Sequence, residues 1–320
     1  MYSIGIDLGG TNIAVGIVDA SYNIVRKGSV PTNTRRSPDE ITADMAALSQ
    51  KLCKEAGITL SEIDFAGVAA PGSVNPEEGT LIYANNLPFL DYPLCEKLSA
   101  LLGGMRVYIE NDANAAAKAE AMAGAAKNAH SSVMITLGTG VGGGIVLGGR
   151  IYSGINFAGG ELGHTVIEKN GRPCTCGRRG CWETYSSATG LITTTKEKIL
   201  ACRKERRHTL MEEMIGGDLT NVSGKTAFDA AKRGDDAARE VVDSYIVHLA
   251  LGITNMINIF QPDVLSIGGG ICREGDYLLK PLNERVFKEV YTKDREPKTH
   301  LCAAVLGNDA GILGAASLGR

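Results

Sequence analysis

The sequence predicts an α/β protein with two domains of similar design. Residues 2–30 contain three short runs in which apolar residues alternate with small or polar ones, and turn sequences separate these runs, which is typical of strands. The same order of strand, glycine turn and strand begins again at residue 132, roughly 130 residues further on. A repeat of that length favours a duplicated domain, and 320 residues suffice for two domains.

The remaining elements of the first half follow in order. Pro38 and the acidic residues after it fit the first turn of a helix that ends at Gly57. We predict a buried strand over residues 63–72 that leads into a glycine loop. Residues 106–124 are predicted to form a strand followed by an alanine-rich helix.

The second half opens with three predicted strands within residues 132–154, and helices follow after an insert rich in cysteine. Residues 235–260 place apolar side chains at helical spacing, and Pro262 ends that helix. We predict a buried strand over residues 263–271 that leads into three glycines. Residues 300–319 are predicted to form a strand and a last helix.

Composition excludes several classes of protein. Apolar residues make up 44% of the chain, but none of its apolar runs reaches the roughly 18 to 20 residues of a membrane helix. The start, MYSIGIDLGG, has neither a basic region nor a cleavage site, so we expect a cytoplasmic protein with reduced thiols and no membrane partner. A net charge of −3 and a pI near 6.0 disfavour nucleic-acid binding.

Three glycine-rich turns follow predicted strands, at residues 7–12, 137–144 and 268–270. Consecutive glycine amides can converge on a phosphate, and threonine hydroxyls add donors. One such turn is as often a structural hairpin, but three of them, two equivalent within the repeat, favour nucleotide binding. Asp7 is placed to hold Mg²⁺ through water. The candidate nucleotide-binding residues are Asp7, Gly9, Gly10, Thr11, Asn12, Gly138, Thr139, Gly140, Gly268, Gly269 and Gly270.

The sequence ENDANA, residues 110–115, is the candidate catalytic segment. It joins a predicted strand to a predicted helix, near the cleft that a duplicated fold creates. A carboxylate there can accept a proton from a sugar hydroxyl as the hydroxyl attacks a γ-phosphate, and Asp112 is our candidate for this general base. The alternative role of Asp112 is to cap the N-terminus of the helix, and the two roles are compatible.

The insert at residues 159–183 contains one imidazole and three thiols, a set that suits a tetrahedral zinc ion. Four protein ligands close the coordination sphere, so the metal would be structural. A disulfide would require an oxidising compartment, and a DNA-binding finger would require a basic helix after the last cysteine, where the sequence reads WETYSSATGLITTT. Both alternatives are therefore disfavoured. The candidate ligands are His164, Cys174, Cys176 and Cys181.

Four segments carry a resemblance to a known family: IGIDLGGTN, ENDANAAA, TLGTGVGGGIVLGGRIYSGINFAGGELGH and CTCGRRGCWE. Together they resemble the ROK family of sugar kinases and repressors, and the similarity extends over essentially the whole chain. The resemblance implies an actin/hexokinase-like (ribonuclease H-like) duplicated α/β fold with two domains around a central cleft. We expect a small domain of residues 1–110 plus about 306–320, and a large domain of residues 111–305 that carries the zinc-binding insert.

The chain is most similar to the ATP-dependent glucokinases of that family, which implies transfer of phosphate from ATP to the 6-hydroxyl of a hexose. ATP, Mg²⁺ and a structural Zn²⁺ are the implied cofactors, and Asp112 is the implied general base. The resemblance also implies that side chains from both halves contact the sugar. The implied sugar-binding residues are Gly72, Asn86, Asn111, Asp112, Glu161, His164 and Glu183.

Some alternatives stay open. The segment NLPFLDYPL lacks the tryptophan that glucokinase-like relatives carry there, so the hexose is glucose or another sugar such as allose, fructose, mannose or N-acetylmannosamine. A sugar-sensing repressor would carry a winged-helix domain before the first turn, for which a strand starting at Tyr2 leaves no room. An Hsp70-like ATPase would not explain the insert. We expect a homodimer or homotetramer.

Overall fold

A computed structural model describes residues 1–84 and 86–320. Within them the chain forms two compact units. The first unit contains Met1–Met134, Gly144–Gly160 and Ala304–Arg320, and the second contains Ile135–Gly143 and Glu161–Ala303. The chain therefore enters each unit more than once. The domain boundary that we expected at residue 110 stays a prediction.

The described residues contain thirteen strands and ten α-helices. The strands are β1 (Tyr2–Leu8), β2 (Asn12–Val18), β3 (Ile24–Pro31), β4 (Ile63–Ala70), β5 (Ser73–Asn75), β6 (Thr80–Tyr83), β7 (Leu90–Tyr92), β8 (Val107–Asn111), β9 (Ser131–Leu137), β10 (Val141–Leu147), β11 (Arg150–Ile151), β12 (Val264–Gly268) and β13 (His300–Ala303). The helices are α1 (Pro38–Ala56), α2 (Leu94–Leu101), α3 (Asp112–Ala123), α4 (Glu183–Ser186), α5 (Ala188–Glu205), α6 (Leu210–Met214), α7 (Thr226–Lys232), α8 (Asp236–Phe260), α9 (Asp276–Glu289) and α10 (Ala310–Ala315).

The first unit is built on a five-stranded sheet with the order β3-β2-β1-β4-β8. Strand β1 is antiparallel to β2 and parallel to β4, and β8 is parallel to β4. The predicted alternation buries one face, where Ile4, Ile6 and Val68 lie in one apolar core with Met45 and Leu48 of α1. Side chains on the other face must therefore meet a different element.

Glycines line that other face where α10 crosses it. A Cβ atom at Gly5 would lie 2.0 Å from the carbonyl oxygen of Ile312, and one at Gly67 would lie 1.9 Å from that of Ala315. The backbone of α10 therefore lies directly on β1 and β4, because no side chain separates them. Helix α10, close to the C-terminus, therefore covers one face of the sheet that contains the first strand of the chain.

Helix α1 begins and ends as its sequence predicts. Ser37 is the N-cap, its hydroxyl accepts from the Glu40 amide, and the Glu40 carboxylate accepts from the Ser37 amide. Gly57 ends the helix in the left-handed region at φ 69°. Both boundaries are set by local chemistry, so they were predictable without knowledge of the fold.

The second five-stranded sheet has the order β11-β10-β9-β12-β13, with β12 and β13 parallel. Helix α8 packs in the second unit, and its buried residues include Leu249, Ile253 and Ile257, as the helical spacing predicts. The sequence did not predict the small sheet of β5, β6 and β7. In the part of the chain that the structure describes, no helix combines the length and apolar character of a membrane span.

Candidate active site and metal centre

The first glycine turn joins β1 to β2. The Gly9 amide donates to the carbonyl oxygen of Asn12 at 3.0 Å, and a Cβ atom at Gly9 would lie 2.8 Å from the same oxygen. The Thr32 hydroxyl donates to the Gly9 carbonyl at 2.6 Å and holds the turn from the side. Gly10 and Thr11 at its tip are exposed, which binding of a phosphate requires.

Asp7 lies near the end of β1, immediately before this turn. Burial raises the pKa of Asp7 to about 6, and the nearby negative charge of Asp112 also raises it. Helix α10 approaches closely, because a Cβ atom at Gly311 would lie 2.4 Å from Asp7 Oδ2. A carboxylate beside a glycine turn is an oxygen ligand of the kind that Mg²⁺ prefers, so Asp7 fits that ion.

Asn111, and not Asp112, caps α3. The Asn111 Oδ1 atom accepts from the amides of Ala113 at 2.9 Å and Asn114 at 3.2 Å, and its Nδ2 atom donates to the carbonyl oxygen of Gly72 at 3.0 Å. Asp112 is the first residue of the helix, and its Oδ1 atom accepts from Ala113 at 2.8 Å. The interpretation of Asp112 as the N-cap is therefore wrong.

Glu110 is a buried carboxylate that sequence reasoning missed. Its side chain is 6% exposed, and its Oε1 atom accepts from the Asn111 amide at 2.9 Å and from Asn114 Nδ2 at 3.1 Å. Burial raises the pKa of Glu110, while these two hydrogen bonds oppose the shift. The residue orients the segment that carries Asp112. The only sequence signal was an acidic residue at the end of a strand predicted to be buried.

Two further predicted residues of the first unit lie in loops. Gly72 has φ 89°, and a Cβ atom there would lie 2.1 Å from the Tyr83 carbonyl oxygen, so only glycine fits. Asn86 is exposed, and a Cβ atom added at Gly10 would lie 3.9 Å from the Cβ atom of Asn86. Asn86 is therefore beside the first glycine turn, and Gly72 is beside Asn111.

The second and third glycine turns adjoin one another in the second unit. The Gly138 amide donates to the Gly140 carbonyl at 3.0 Å and closes the second turn. Gly269 has φ 102°, and a Cβ atom there would lie 2.2 Å from the carbonyl oxygen of Leu137. Gly138 and Thr139 are exposed. The structure therefore brings together two turns that are far apart in sequence.

The predicted zinc ligands form one cluster. Their four donor atoms all lie within 4.8 Å of one another. His164 Nδ1 is 3.5 Å from Cys174 Sγ, and Cys176 Sγ is 3.6 Å from Cys181 Sγ. Donors at the corners of a tetrahedron around zinc stand roughly 3.5–3.8 Å apart, given Zn–S of about 2.3 Å and Zn–N of about 2.0 Å. The donor set therefore fits zinc, and all eight cysteines are free thiols rather than disulfides.

Little regular structure holds this cluster, which lies in a segment that we call the metal lobe, residues 161–187. Among the described residues, single bridges join Val166 to Cys181 and Pro173 to Arg179, and His164 ends a short 3-10 helix that begins at Leu162. Every residue from 164 to 179 is exposed or half-buried, so burial contributes little to the order of this segment. A metal ion would supply order that burial does not.

Two glutamates flank the cluster from different sides. Glu183 Oε1 lies 3.1 Å from Cys174 Sγ and 3.6 Å from His164 Nδ1. Glu161 Oε2 lies 3.9 Å from His164 Nε2, the ring nitrogen that does not face Cys174. The imidazole can therefore use Nδ1 for a metal and keep Nε2–H to donate elsewhere.

Trp182 attaches the metal lobe to α8 by a hydrogen bond and by packing. It is fully buried, and its indole Nε1 donates to the carbonyl oxygen of His248 at 3.0 Å. The indole fits because α8 has glycine at 252, where a Cβ atom would lie 1.9 Å from the ring. Arg172 attaches the lobe to α5 as well, since its guanidinium donates to the Thr194 hydroxyl at 3.0 Å and to Glu197 Oε2 at 2.5 Å.

Comparison with known proteins decides the family. The family model described as "ROK family" matches residues 3–320. The chain belongs to the ROK family. This ROK protein is 37% identical to the glucokinase of Halalkalibacterium halodurans over 97% of its own chain and 92% of that protein. It is 35% identical to the glucokinase of Thermotoga maritima, over 98% of its own chain and 96% of that protein.

A solved structure extends the comparison to three dimensions. The ROK protein matches a ROK family glucokinase from Streptomyces griseus, whose crystal structure is a complex with glucose and AMPPNP. The TM-score is 0.78 at 30% identity, and the match covers 99% of each chain. The predicted fold class, a two-domain α/β fold of the ROK sugar kinases, is confirmed.

Proposed function

We propose that this ROK protein is an ATP-dependent hexokinase that phosphorylates glucose at the 6-hydroxyl group. The similarity to two glucokinases over nearly the whole chain supports the class of reaction. One structural observation carries the catalytic assignment. Because Asn111 caps α3, Asp112 is not required for that purpose, and its negative charge acts on Asp7, whose pKa it helps to raise.

The first glycine turn and the second and third turns bind ATP in this proposal. Their exposed glycine and threonine residues offer backbone amides and hydroxyls to the phosphate oxygens, and the third turn lies toward the adenosine. Asp7 would hold Mg²⁺, which neutralises negative charge on the transferring phosphate when it is bound. Glu110 keeps the segment of Asn111 and Asp112 in place through its two hydrogen bonds.

Sugar binding is assigned to the polar groups that the resemblance to the family implies. Asn111 and Gly72 contact one another through the 3.0 Å hydrogen bond, and Glu161 and Glu183 flank His164. These carboxylates accept from sugar hydroxyls, and His164 donates from Nε2 while Nδ1 serves the metal. The remaining members of the proposed set are Asn86 and Asp112.

The reaction then requires one proton acceptor. Asp112 accepts the proton of the 6-hydroxyl while that oxygen forms a bond to the γ-phosphorus. The bond between the γ-phosphorus and the bridging oxygen breaks, and its electron pair leaves with ADP. The zinc cluster has no part in this step, because four protein donors leave no open coordination position.

A panel of hexoses and phosphoryl donors tests the proposal. Purified protein is incubated with glucose, mannose, fructose, allose or N-acetylmannosamine and with ATP, GTP or polyphosphate, and the sugar phosphate itself is measured. We expect the highest kcat/KM for glucose with ATP. A higher value for another sugar would reassign the substrate, and no phosphorylation of any sugar would refute the proposed function. Sedimentation of the same sample tests the homodimer or homotetramer.

A further inference from the structure

Two residues of the metal lobe contact the second glycine turn, and Ala188, the residue that follows the lobe, adds a hydrogen bond, all within the second unit. The Ala188 amide, at the start of α5, donates to the carbonyl oxygen of Gly138 at 2.9 Å. A Cβ atom at Gly140 would lie 2.6 Å from Glu183 Oε2. A Cβ atom at Gly163 would lie 2.2 Å from the carbonyl oxygen of Val141, which belongs to the turn.

Glu183 connects these contacts to the metal cluster. One carboxylate oxygen, Oε1, lies 3.1 Å from Cys174 Sγ, and the other, Oε2, lies against Gly140. The side chain is 17% exposed, so its position is defined by its surroundings. Glu183 therefore spans the distance between a predicted metal ligand and the predicted phosphate-binding turn.

We propose that the metal lobe positions the second glycine turn, with Glu183 as a positioning residue, so that metal binding and nucleotide binding strengthen each other. This rests on the proposed function in one respect, namely that the turn binds nucleotide. Glu161, His164 and Glu183 of the proposed sugar-binding set lie in the metal lobe, so a metal there would order these side chains. The three contacts extend its effect to the nucleotide.

The physical reason lies in the entropy of the turn. Glycine has more backbone freedom to lose than any other residue, and Gly138 and Gly140 both lie in the turn. A metal-ordered lobe holds the turn before ATP arrives, so less ordering remains for the nucleotide to impose. Without metal the lobe has few bridges to keep it ordered, and the nucleotide must order turn and lobe together.

Calorimetry with AMPPNP and Mg²⁺, in the absence of sugar, tests the coupling. The protein is measured loaded with Zn²⁺ and after removal of Zn²⁺ by a chelator. We expect AMPPNP to bind the zinc-free protein more weakly, by roughly five- to 150-fold, the usual range of such couplings. Because coupling is reciprocal, AMPPNP should raise the affinity for Zn²⁺, measured by competition with the chelator, by the same factor.

Two glutamate variants separate positioning from sugar binding. Glu183→Ala and Glu161→Ala each remove a proposed sugar ligand that flanks His164, but the contact to Gly140 belongs to Glu183. Both variants should keep one Zn²⁺ per chain, since the four donors are untouched, and both should lose glucose affinity. AMPPNP affinity should fall in Glu183→Ala and stay at the wild-type value in Glu161→Ala.

Several results would overturn the coupling. Equal AMPPNP affinity with and without Zn²⁺ would do so, as would equal affinity in the two zinc-loaded variants. If the zinc-free protein unfolds, as judged by its thermal transition, the variants decide the question, because both are compared in the loaded form. No binding of AMPPNP to the loaded wild type would overturn the proposed function as well.

Discussion

The first glycine turn and the metal lobe illustrate two ways of holding a functional loop. The turn joins β1 and β2, whose paired residues include the fully buried Ile6 and Val15. The metal lobe has isolated bridges in place of strands, and its order depends on the donor cluster and on Trp182. Where the chain can bury a strand on both sides, packing suffices, and where it is polar and rich in glycine, a ligand must supply the order.

The carboxylates of the first unit and of the metal lobe also differ in their surroundings. In the first unit, burial disfavours the charged forms of Asp7 and Glu110 and so raises the pKa of both carboxyl groups. In the metal lobe the side chain of Glu161 is 66% exposed, and Glu183 lies beside a cluster that a cation would fill. We therefore assign the chemistry to the first unit and positioning to the metal lobe.

The largest expected effect comes from Asp112→Ala. Loss of a general base should lower kcat by about 10²- to 10⁴-fold, with a modest change in glucose affinity. Steady-state kinetics and equilibrium glucose binding measure the two quantities. Asp276→Ala is the matched control, because Asp276 is likewise the first residue of a helix, and it should leave kcat unchanged. A near-normal kcat in Asp112→Ala would remove Asp112 from the catalytic role.

The next effect is the pH dependence of stability due to Asp7. Its raised pKa means that the charged form is disfavoured by folding, so its cost is present above about pH 6 and disappears as the pH falls toward 3.8. Asp7→Asn should therefore be more stable than wild type at pH 8, by at most about 3 kcal/mol, and this advantage should vanish near pH 4. Denaturant unfolding without Mg²⁺ at several pH values measures it.

Asp19→Asn is the control of opposite sign for that experiment. Hydrogen bonds from Asn23 lower the pKa of Asp19, so its charged form stabilises the fold at pH 8, and that contribution is lost as the pH falls through its lowered pKa. Asp19→Asn should therefore be less stable than wild type at pH 8. An Asp7→Asn variant that follows the same trend would contradict the assignment of a buried, disfavoured charge.

A smaller effect comes from overpacking at glycines. Retention of Zn²⁺ should show whether a substitution disturbs the metal lobe or the first unit. Gly252→Ala would place a methyl group 1.9 Å from the Trp182 ring, and such overpacking should lower the free energy of unfolding by about 1–3 kcal/mol. Because Trp182 attaches the metal lobe to α8, the substitution should weaken this attachment, and a chelator should remove Zn²⁺ faster. Gly67→Ala crowds α10 instead and should destabilise the protein without this loss. Gly224→Ala, with open space around it, should do neither.

The smallest expected effect is at the surface of the first unit. Lys27 Nζ lies 2.7 Å from Asp309 Oδ1, but the two side chains are 55% and 37% exposed. Lys27→Ala should lower the free energy of unfolding by less than about 1 kcal/mol, and 1 M salt should reduce the difference further. Thermal unfolding at two salt concentrations measures this. A loss well above that value would mean that the ion pair, and not glycine packing, holds α10.

Several features were predictable because their causes are local. The caps of α1 depend on Ser37, Glu40 and Gly57, which are close in sequence to the residues they bond. The four predicted zinc ligands lie within one short insert, so their types and spacing were enough to predict that they cluster. The prediction of two α/β domains followed from a repeat that is visible in the residues themselves. Membership of the ROK family was also recognised from motifs in the sequence.

The capping of α3 shows where local patterns reach their limit. The sequence ENDANA offers two adjacent residues that are both good N-caps, and pattern alone cannot choose between Asn111 and Asp112. The choice is made by the hydrogen bond from Asn111 to Gly72 and by the contact of Glu110 with the Asn111 amide. Gly72 is distant in sequence, so its influence appears only after folding.

The sequence by itself thus determined the classes of element, the cluster of one histidine and three cysteines, the glycine turns and the family. Only the tertiary structure decided that α10 lies on the glycines of β1 and β4, that Asn111 and not Asp112 caps α3, and that Glu183 joins the metal cluster to the second turn. The physical reason is the range of the interactions. Capping, turn and ligand preferences act between near neighbours, whereas close backbone packing and side-chain bridges join residues that only the fold brings into contact.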